Sequence, residues 1–230
     1  MDQLPGGRSI GLIGGVGVGA AIHYYRELAR IHAERGHVLN LIMSHAHFDR
    51  VRGAVAAGDK QGLASYLGTL IKQMKAAGAE FAVLPAVAPH IAITELIELS
   101  PLPLVNLLTE VKHEIDARRL RRVALLGARY VIESRLYGQL ESVEIVMPQP
   151  DEIDYIHATY FQVAEAGICT AAQREGLARM AHKLIERDRV EAIVLAGTDL
   201  ALVFDESNID FPHIDAARVH LDAIVNRALA

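Results

Sequence analysis

Short apolar runs alternate along the chain with segments of helical period. Ser9–Ile13, Val38–Met43, Phe81–Leu84, Pro103–Leu107, Val123–Leu126, Val143–Val146 and Ala192–Ala196 read as buried strands. They are short and rich in Val, Ile and Leu, and Gly, Pro or Ser often bounds them. The clearest helix has Leu63, Leu67, Leu70, Ile71 and Met74 on one face, with Asp59 as N-cap and Gly78 as the C′ residue. Another covers about 151–165, with Ile153, Ile156, Tyr160 and Val163 inward and Gly167 past its end. A third opens on Thr170-Ala171-Ala172-Gln173, a capping-box pattern, and buries Leu177, Met180, Ala181 and Leu184. This strand–helix alternation predicts an α/β fold with parallel sheets and helices on both faces.

The pattern runs twice, over roughly 8–105 and 106–207. Each pass includes a strand that ends in a turn of small residues. These turns are Leu84-Pro85-Ala86-Val87-Ala88-Pro89-His90 and Leu195-Ala196-Gly197-Thr198-Asp199. Both are expected at carboxyl ends of parallel strands, where ligands bind in open α/β sheets. With no low-complexity linker, two tightly packed lobes are expected.

Composition narrows the function. At 230 residues and 51% hydrophobic, the chain is long and apolar enough for a real core. A formal net charge of −5 argues against a dedicated nucleic-acid binder. A single cysteine, Cys169, excludes an internal disulfide and a multi-cysteine zinc site. Met1–Arg8 has no apolar stretch of signal-peptide length, and no apolar run reaches about 18 residues. A soluble, cytoplasmic protein without a membrane partner is the expectation.

Several groups could carry chemistry. Gly14-Gly15-Val16-Gly17 follows the first strand and enters a helix, as in a dinucleotide fingerprint. However, the second strand ends Ile42-Met43-Ser44-His45 without the carboxylate that would hold a ribose, and no Gly-Lys-Ser/Thr is present. No nucleotide cofactor is therefore expected, and the loop reads as a tight turn or a small-carboxylate cradle. His45 and His47 would share one face of a strand and, with His90, could transfer protons, bind a metal or simply hydrogen-bond backbone. Thr198 and Asp199 open a helix, where they could cap it or bind a carboxylate, and Asp199 could act as a base or anchor an ammonium. Cys169 reads as a small hydrophobe. Arg118-Arg119-Leu120-Arg121-Arg122 reads as a solvated helix end.

Gly11-Leu12-Ile13-Gly14-Gly15 and Tyr24-Tyr25 resemble the opening of the aspartate/glutamate racemase family. Ala77-Gly78-Ala79, Leu125-Leu126-Gly127, Glu133-Ser134, Tyr137, the Leu195–Leu200 turn, and the Asp215-to-His220 spacing recur in the family's order. The resemblance implies two pseudo-symmetric Rossmann-like lobes, residues 1–105 plus 208–230 and residues 106–207, with a ligand cleft between them. It also implies a homodimer, a small carboxylate ligand and chemistry independent of pyridoxal phosphate. In that family two cysteines, one per lobe, remove and return the α-proton of an acidic amino acid.

This chain departs at those positions. By the resemblance Ala86 stands for the first cysteine, Val87 and Ala88 for the Asn-Thr pair after it, and Gly197 for the second cysteine. Thr198 is retained, Asp199 stands for Glu, and Ala128 for a frequent Thr. His90 matches a family histidine, and His47-Phe48 stands for an Asp-Phe pair. Neither Ala nor Gly can carry a proton, so two-thiol racemisation is not expected. The expected function is a cofactor-independent isomerase or lyase for a small carboxylic acid. His90, His45, His47 and Asp199 are its proton-transfer candidates. Gly14, Gly15, Val16, Gly17, Ala86, Val87, Ala88, Ala128, Gly197 and Thr198 are its substrate-binding candidates. A non-catalytic metabolite- or protein-binding relative and a metal enzyme built on the histidines are the alternatives.

Overall fold

The computed structural model describes residues 6–230. The expectations for Met1–Pro5 lie outside the described residues. Two compact units emerge, Met1–Asn106 with His220–Ala230, and Leu107–Val219.

The first unit contains β1 (Ile10–Gly14), α1 (Val18–Glu34), β2 (Leu41–His45), α2 (Phe48–Ala57), α3 (Lys60–Ala76), β3 (Phe81–Val83), α4 (Ile93–Leu99) and β4 (Leu104–Val105). Its sheet is parallel with order β2-β1-β3-β4. β1 and β3 are central and wholly buried, which explains their unbroken apolar sequence. β2 is an edge strand, half-buried to exposed. It starts three residues later than expected, because Leu41 pairs with Ile10 and His45 with Gly14, while Val38 makes an isolated bridge to Gly6. Asp59 caps α3 by accepting a hydrogen bond from Gly62 N, and Gly78 follows the helix at φ 103°. Leu63, Leu67, Ile71 and Met74 of α3 are fully buried. Each such side chain contributes roughly 1.5–3 kcal/mol relative to exposure.

The second unit contains α5 (Leu107–Ala117), β5 (Arg122–Leu126), α6 (Arg129–Glu133), β6 (Glu144–Val146), α7 (Pro150–Ala166), α8 (Ala171–Asp188), β7 (Ala192–Leu195) and β8 (His213–Asp215). Its parallel sheet has order β6-β5-β7-β8, the same pattern as the first. Thr170 and Gln173 form the expected capping box on α8, and Gly167 ends α7 in the left-handed region. Met180 is half-buried, unlike its neighbours Leu177, Ala181 and Leu184. α7 is tied to α8 by an ion cluster around the buried Glu152, whose cationic partners reach solvent. The Glu152 carboxylate meets Arg187 and Lys183 at 2.6 Å each, and the Arg187 contact leads in pulling its pKa down to about 2.

Two expectations change. β8 was not anticipated, because Ile214 is its one apolar residue, between His213 and Asp215. The chain returns to the first unit at His220 and not near 208, since residues 208–219 include β8 of the second sheet. The last helix, α9 (Ala216–Leu229), starts where Asp215 accepts from Ala217 N at 2.8 Å.

Candidate active site

In the first unit, Gly14 ends β1 and its carbonyl accepts from Ala46 N at 2.8 Å. Gly15 has φ 90°, and a Cβ there would lie 2.2 Å from Ala46 O. The close pass of the residue-46 backbone therefore requires this glycine, whatever the loop binds. Val16 is half-buried, and Gly17, at φ 97°, is the N-cap of α1 without a side chain to cap it.

The histidines do not form one cluster. β2 stops at His45, so alternation does not carry on to His47, which instead stands at the N-cap position of α2 without a side-chain capping bond. Both are exposed. His45 Cε1 sits 3.0 Å from where a Gly15 side chain would start, while His47 N–H donates to Tyr66 Oη at 2.8 Å. His90 is 1% exposed, in the 3-10 turn Ala88–Ala92 beyond β3. Among the described residues no three His, Cys, Asp or Glu side chains gather as a metal site. The geometry thus offers no ligand set from His45, His47 and His90.

His90 Nδ1 donates to Ala86 O at 2.8 Å, so the lone pair is on Nε2, which has no hydrogen-bond partner. Burial pushes this imidazole down to about 4, which makes it neutral at pH 7 and a weak base. Ala86 and Val87 are buried beside it, and Ala88 is half-buried. His220 Nε2 donates to Val105 O at 3.0 Å, and its Nδ1 accepts from Tyr24 Oη at 3.1 Å. Burial and nearby His90 push His220 down to about 3. The Asp215–His220 pair is thus accounted for by a helix cap and a buried tie among α1, β4 and α9.

A cavity of about 350 Å³ between α2 and α3 is lined by Asp49, Arg50, Asp59, Leu63 and Tyr66 among others. Arg50 lies over the Tyr66 ring at 4.0 Å. None of the expected site residues lines this cavity.

In the second unit, Ala128 is buried at the N-cap of α6, and the next N–H, that of Arg129, donates to His157 Nδ1 at 3.1 Å. Beyond β7, Gly197 is extended at φ −159°, followed by a 3-10 turn over Thr198–Leu202. Thr198 is 0% and Asp199 3% exposed. Tyr160 Oη, from α7, donates to Asp199 Oδ2 at 3.3 Å. Tyr130 also feels this carboxylate, and burial followed by Asp199 pushes its phenol up to about 12. Burial first, then Asp199, pushes Tyr160 well above the ordinary tyrosine range. Burial, with Tyr130 second, raises Tyr137. Thr198 and Asp199 therefore stand at a strand end with phenols able to donate hydrogen bonds or hold protons.

Sequence reasoning missed the tyrosines. Tyr160 occupies a position of the inward helical stripe and read as core, while Tyr130 carried no motif of its own. Cys169 lies in the loop before α8, its Sγ 3.2 Å from Thr170 O. Burial raises its thiol pKa, opposite to an activated thiolate.

The sequence model of the Asp/Glu/Hydantoin racemase family matches residues 13–224. The chain belongs to this family. A family protein from Yersinia pestis, assigned as an Asp/Glu racemase, shares 25% identity at TM-score 0.81, over 97% of this chain and 100% of that one. An aspartate racemase homologue from Pyrococcus horikoshii is 24% identical at TM-score 0.80, over 96% and 99%. A double mutant of arylmalonate decarboxylase, in a liganded form, is 19% identical at TM-score 0.57, over 96% and 92%. The racemase fold thus accounts for both parallel sheets. No helix among the described residues is long and apolar enough to cross a membrane.

Proposed function

We propose that the protein is a cofactor-independent isomerase or lyase acting on a small carboxylic acid through acid/base groups other than thiols. Family membership supports carbanion chemistry beside a carboxylate, and the neighbours' names include both racemases and a decarboxylase. The carrying observation is the β7 turn, where Gly197 supplies no acid or base, Thr198 is buried, and the buried Asp199 stands beside the Tyr160 and Tyr130 phenols. Thr198 and the Gly14–Gly17 loop are the candidate carboxylate cradles, each at a strand end next to helical N–H groups. His45, His47, His90 and Asp199 remain the candidate bases, with Asp199 favoured over His90 because the His90 imidazole is buried and weakly basic. This reading includes a cytoplasmic homodimer, which a solution mass of one chain would overturn.

Incubation of the protein in D₂O with L-aspartate, L-glutamate and phenylmalonate tests the reading. Deuterium at the α-carbon of an amino acid, or of phenylacetate formed from phenylmalonate, is the expected result. Absence of deuterium from all three overturns it. A second reading, a non-catalytic binding relative, draws on the first turn, where the apolar Ala86, Val87 and Ala88 precede a buried, neutral histidine bonded to Ala86 O.

A further inference from the structure

Glycine at 197 is not demanded by its backbone, which is extended at φ −159° and ψ 123° and open to any residue. Space demands it. A Cβ built there would lie 2.4 Å from Tyr160 Cε2, 2.8 Å from its Cζ and 2.9 Å from its Oη. The phenol therefore occupies the volume that a side chain at 197 would enter, and its hydroxyl stands at the end of β7. Helix α7 holds it there from a well-anchored base. Glu152, in the first turn of α7, is buried and paired with Arg187 and Lys183 of α8. Ile153, Ile156 and Val163 of the same helix are buried.

The structure assigns Tyr160 as the proton donor at the second turn, in the place of the thiol that the family resemblance puts at position 197. This rests on the function proposed above. The hydroxyl is available for the task. Its bond to Asp199 Oδ2 is 3.3 Å, longer than the 2.5–3.0 Å of a firm O–H···O bond, so little is lost when it turns to a substrate. Burial and the adjacent carboxylate keep the phenol protonated at neutral and alkaline pH.

The step balances without any co-reactant. The Oη–H bond breaks and its electron pair stays on oxygen. The carbanion lone pair, α to the substrate carboxylate, forms a new C–H bond with that proton. Such a carbanion is a far stronger base than a phenolate, so the transfer runs downhill. The phenolate, disfavoured beside Asp199, then takes a proton from water. Nothing is oxidised or reduced.

Tyr160→Phe tests the assignment, because it keeps the ring against Gly197 and removes only the donor. With the same three acids in D₂O, deuterium incorporation by the variant is expected to fall by about 10²–10⁴-fold, the usual worth of a positioned acid. KM should stay within about threefold and the melting temperature within a few degrees, since only a long hydrogen bond is lost. Incorporation within about fivefold of wild type by the Phe variant overturns the role of Tyr160 and leaves the proposed function standing. Wild-type protein that incorporates no deuterium from any of the acids overturns both.

Discussion

The turns after β3 and β7 occupy the same place in two sheets of the same strand order, yet they carry opposite chemistry. After β3 come Pro85, Ala86 and Val87, all buried, and a histidine that bonds back to Ala86 O in its own turn. After β7 come an extended glycine, a buried threonine, and a buried aspartate that accepts from Tyr160. Topology fixes where a loop arrives, while side chains fix what it can do there. In this chain the turn of the second unit carries buried polar side chains bonded to a phenol, and the matching turn of the first unit is mostly apolar and buried.

The largest expected effect that could break this contrast is on stability in acid. His90 and His220 both belong to the first unit, and both have imidazoles lowered from 6.5, to about 4 and about 3. A group whose folded pKa is depressed leaves the unfolded chain binding more protons between the two values. Stability should therefore be complete above pH 6.5 and fall as the pH drops toward 4 and then 3. At about 1.4 kcal/mol per unit of pH, His90 alone accounts for roughly 3 kcal/mol across that window. Urea unfolding from pH 7 to 4, with histidine NMR, should show a first unit that loosens while the phenol cluster stays ordered. His90→Gln should flatten the profile. An unchanged slope in that variant would show that His90 is not a buried neutral group.

A smaller effect should come from exchanging the two residues that the family resemblance equates. Gly197→Ala drives a methyl into the Tyr160 ring, and overpacking of this kind costs roughly 1–3 kcal/mol. Ala86→Gly removes one buried methyl and adds backbone freedom, at about 1 kcal/mol. Combining Gly197→Ala with Tyr160→Leu should cost less than the sum of the two, because the clash is shared. Strict additivity in denaturant midpoints would mean that the ring and position 197 are not in contact.

Much of this arrangement was legible from the chain alone, for reasons that differ by residue. The central strands β1, β3 and β7 are wholly buried, and β5 is buried past the half-buried Arg122 that opens it, so apolar sequence marks them. Asp59, Gly78, Gly167 and Thr170 marked helix ends because their roles are local. The edge strand β2 was displaced because its register is set by β1, and β8 passed unseen because its neighbours in space, not its three residues, make it a strand. The same limit applies to the site. Thr198 and Asp199 stood out beside a turn of small residues, whereas Tyr160 lies 39 residues from Asp199 in sequence and shares a helical stripe with core residues. Helical period distinguishes inward from outward but cannot tell a packed ring from a ring that delivers a hydroxyl to a carboxylate. The shared strand face expected of His45 and His47 differs for the opposite reason, since alternation holds only as far as His45, where the strand ends.

The smallest predicted effect compares the two units at their helix caps. Asp59 opens α3 with one bond from Gly62 N at 2.9 Å, and it adds a negative charge at a helix N-terminus. Thr170 opens α8 with a longer bond from Gln173 N at 3.3 Å, while Gln173 Oε1 independently accepts from Thr170 N at 2.9 Å. Loss of an N-cap side chain costs about 0.5–2 kcal/mol. Asp59→Ala should fall in the upper half of that range, because it removes the short bond and the charge together. Thr170→Ala should fall in the lower half, because the reach-back from Gln173 survives. Raising the salt concentration should narrow the difference by screening Asp59 alone. If urea midpoints show the Thr170 variant to be the more costly, the neutral box is the stronger start, and the charge on Asp59 adds nothing that the hydrogen bond does not.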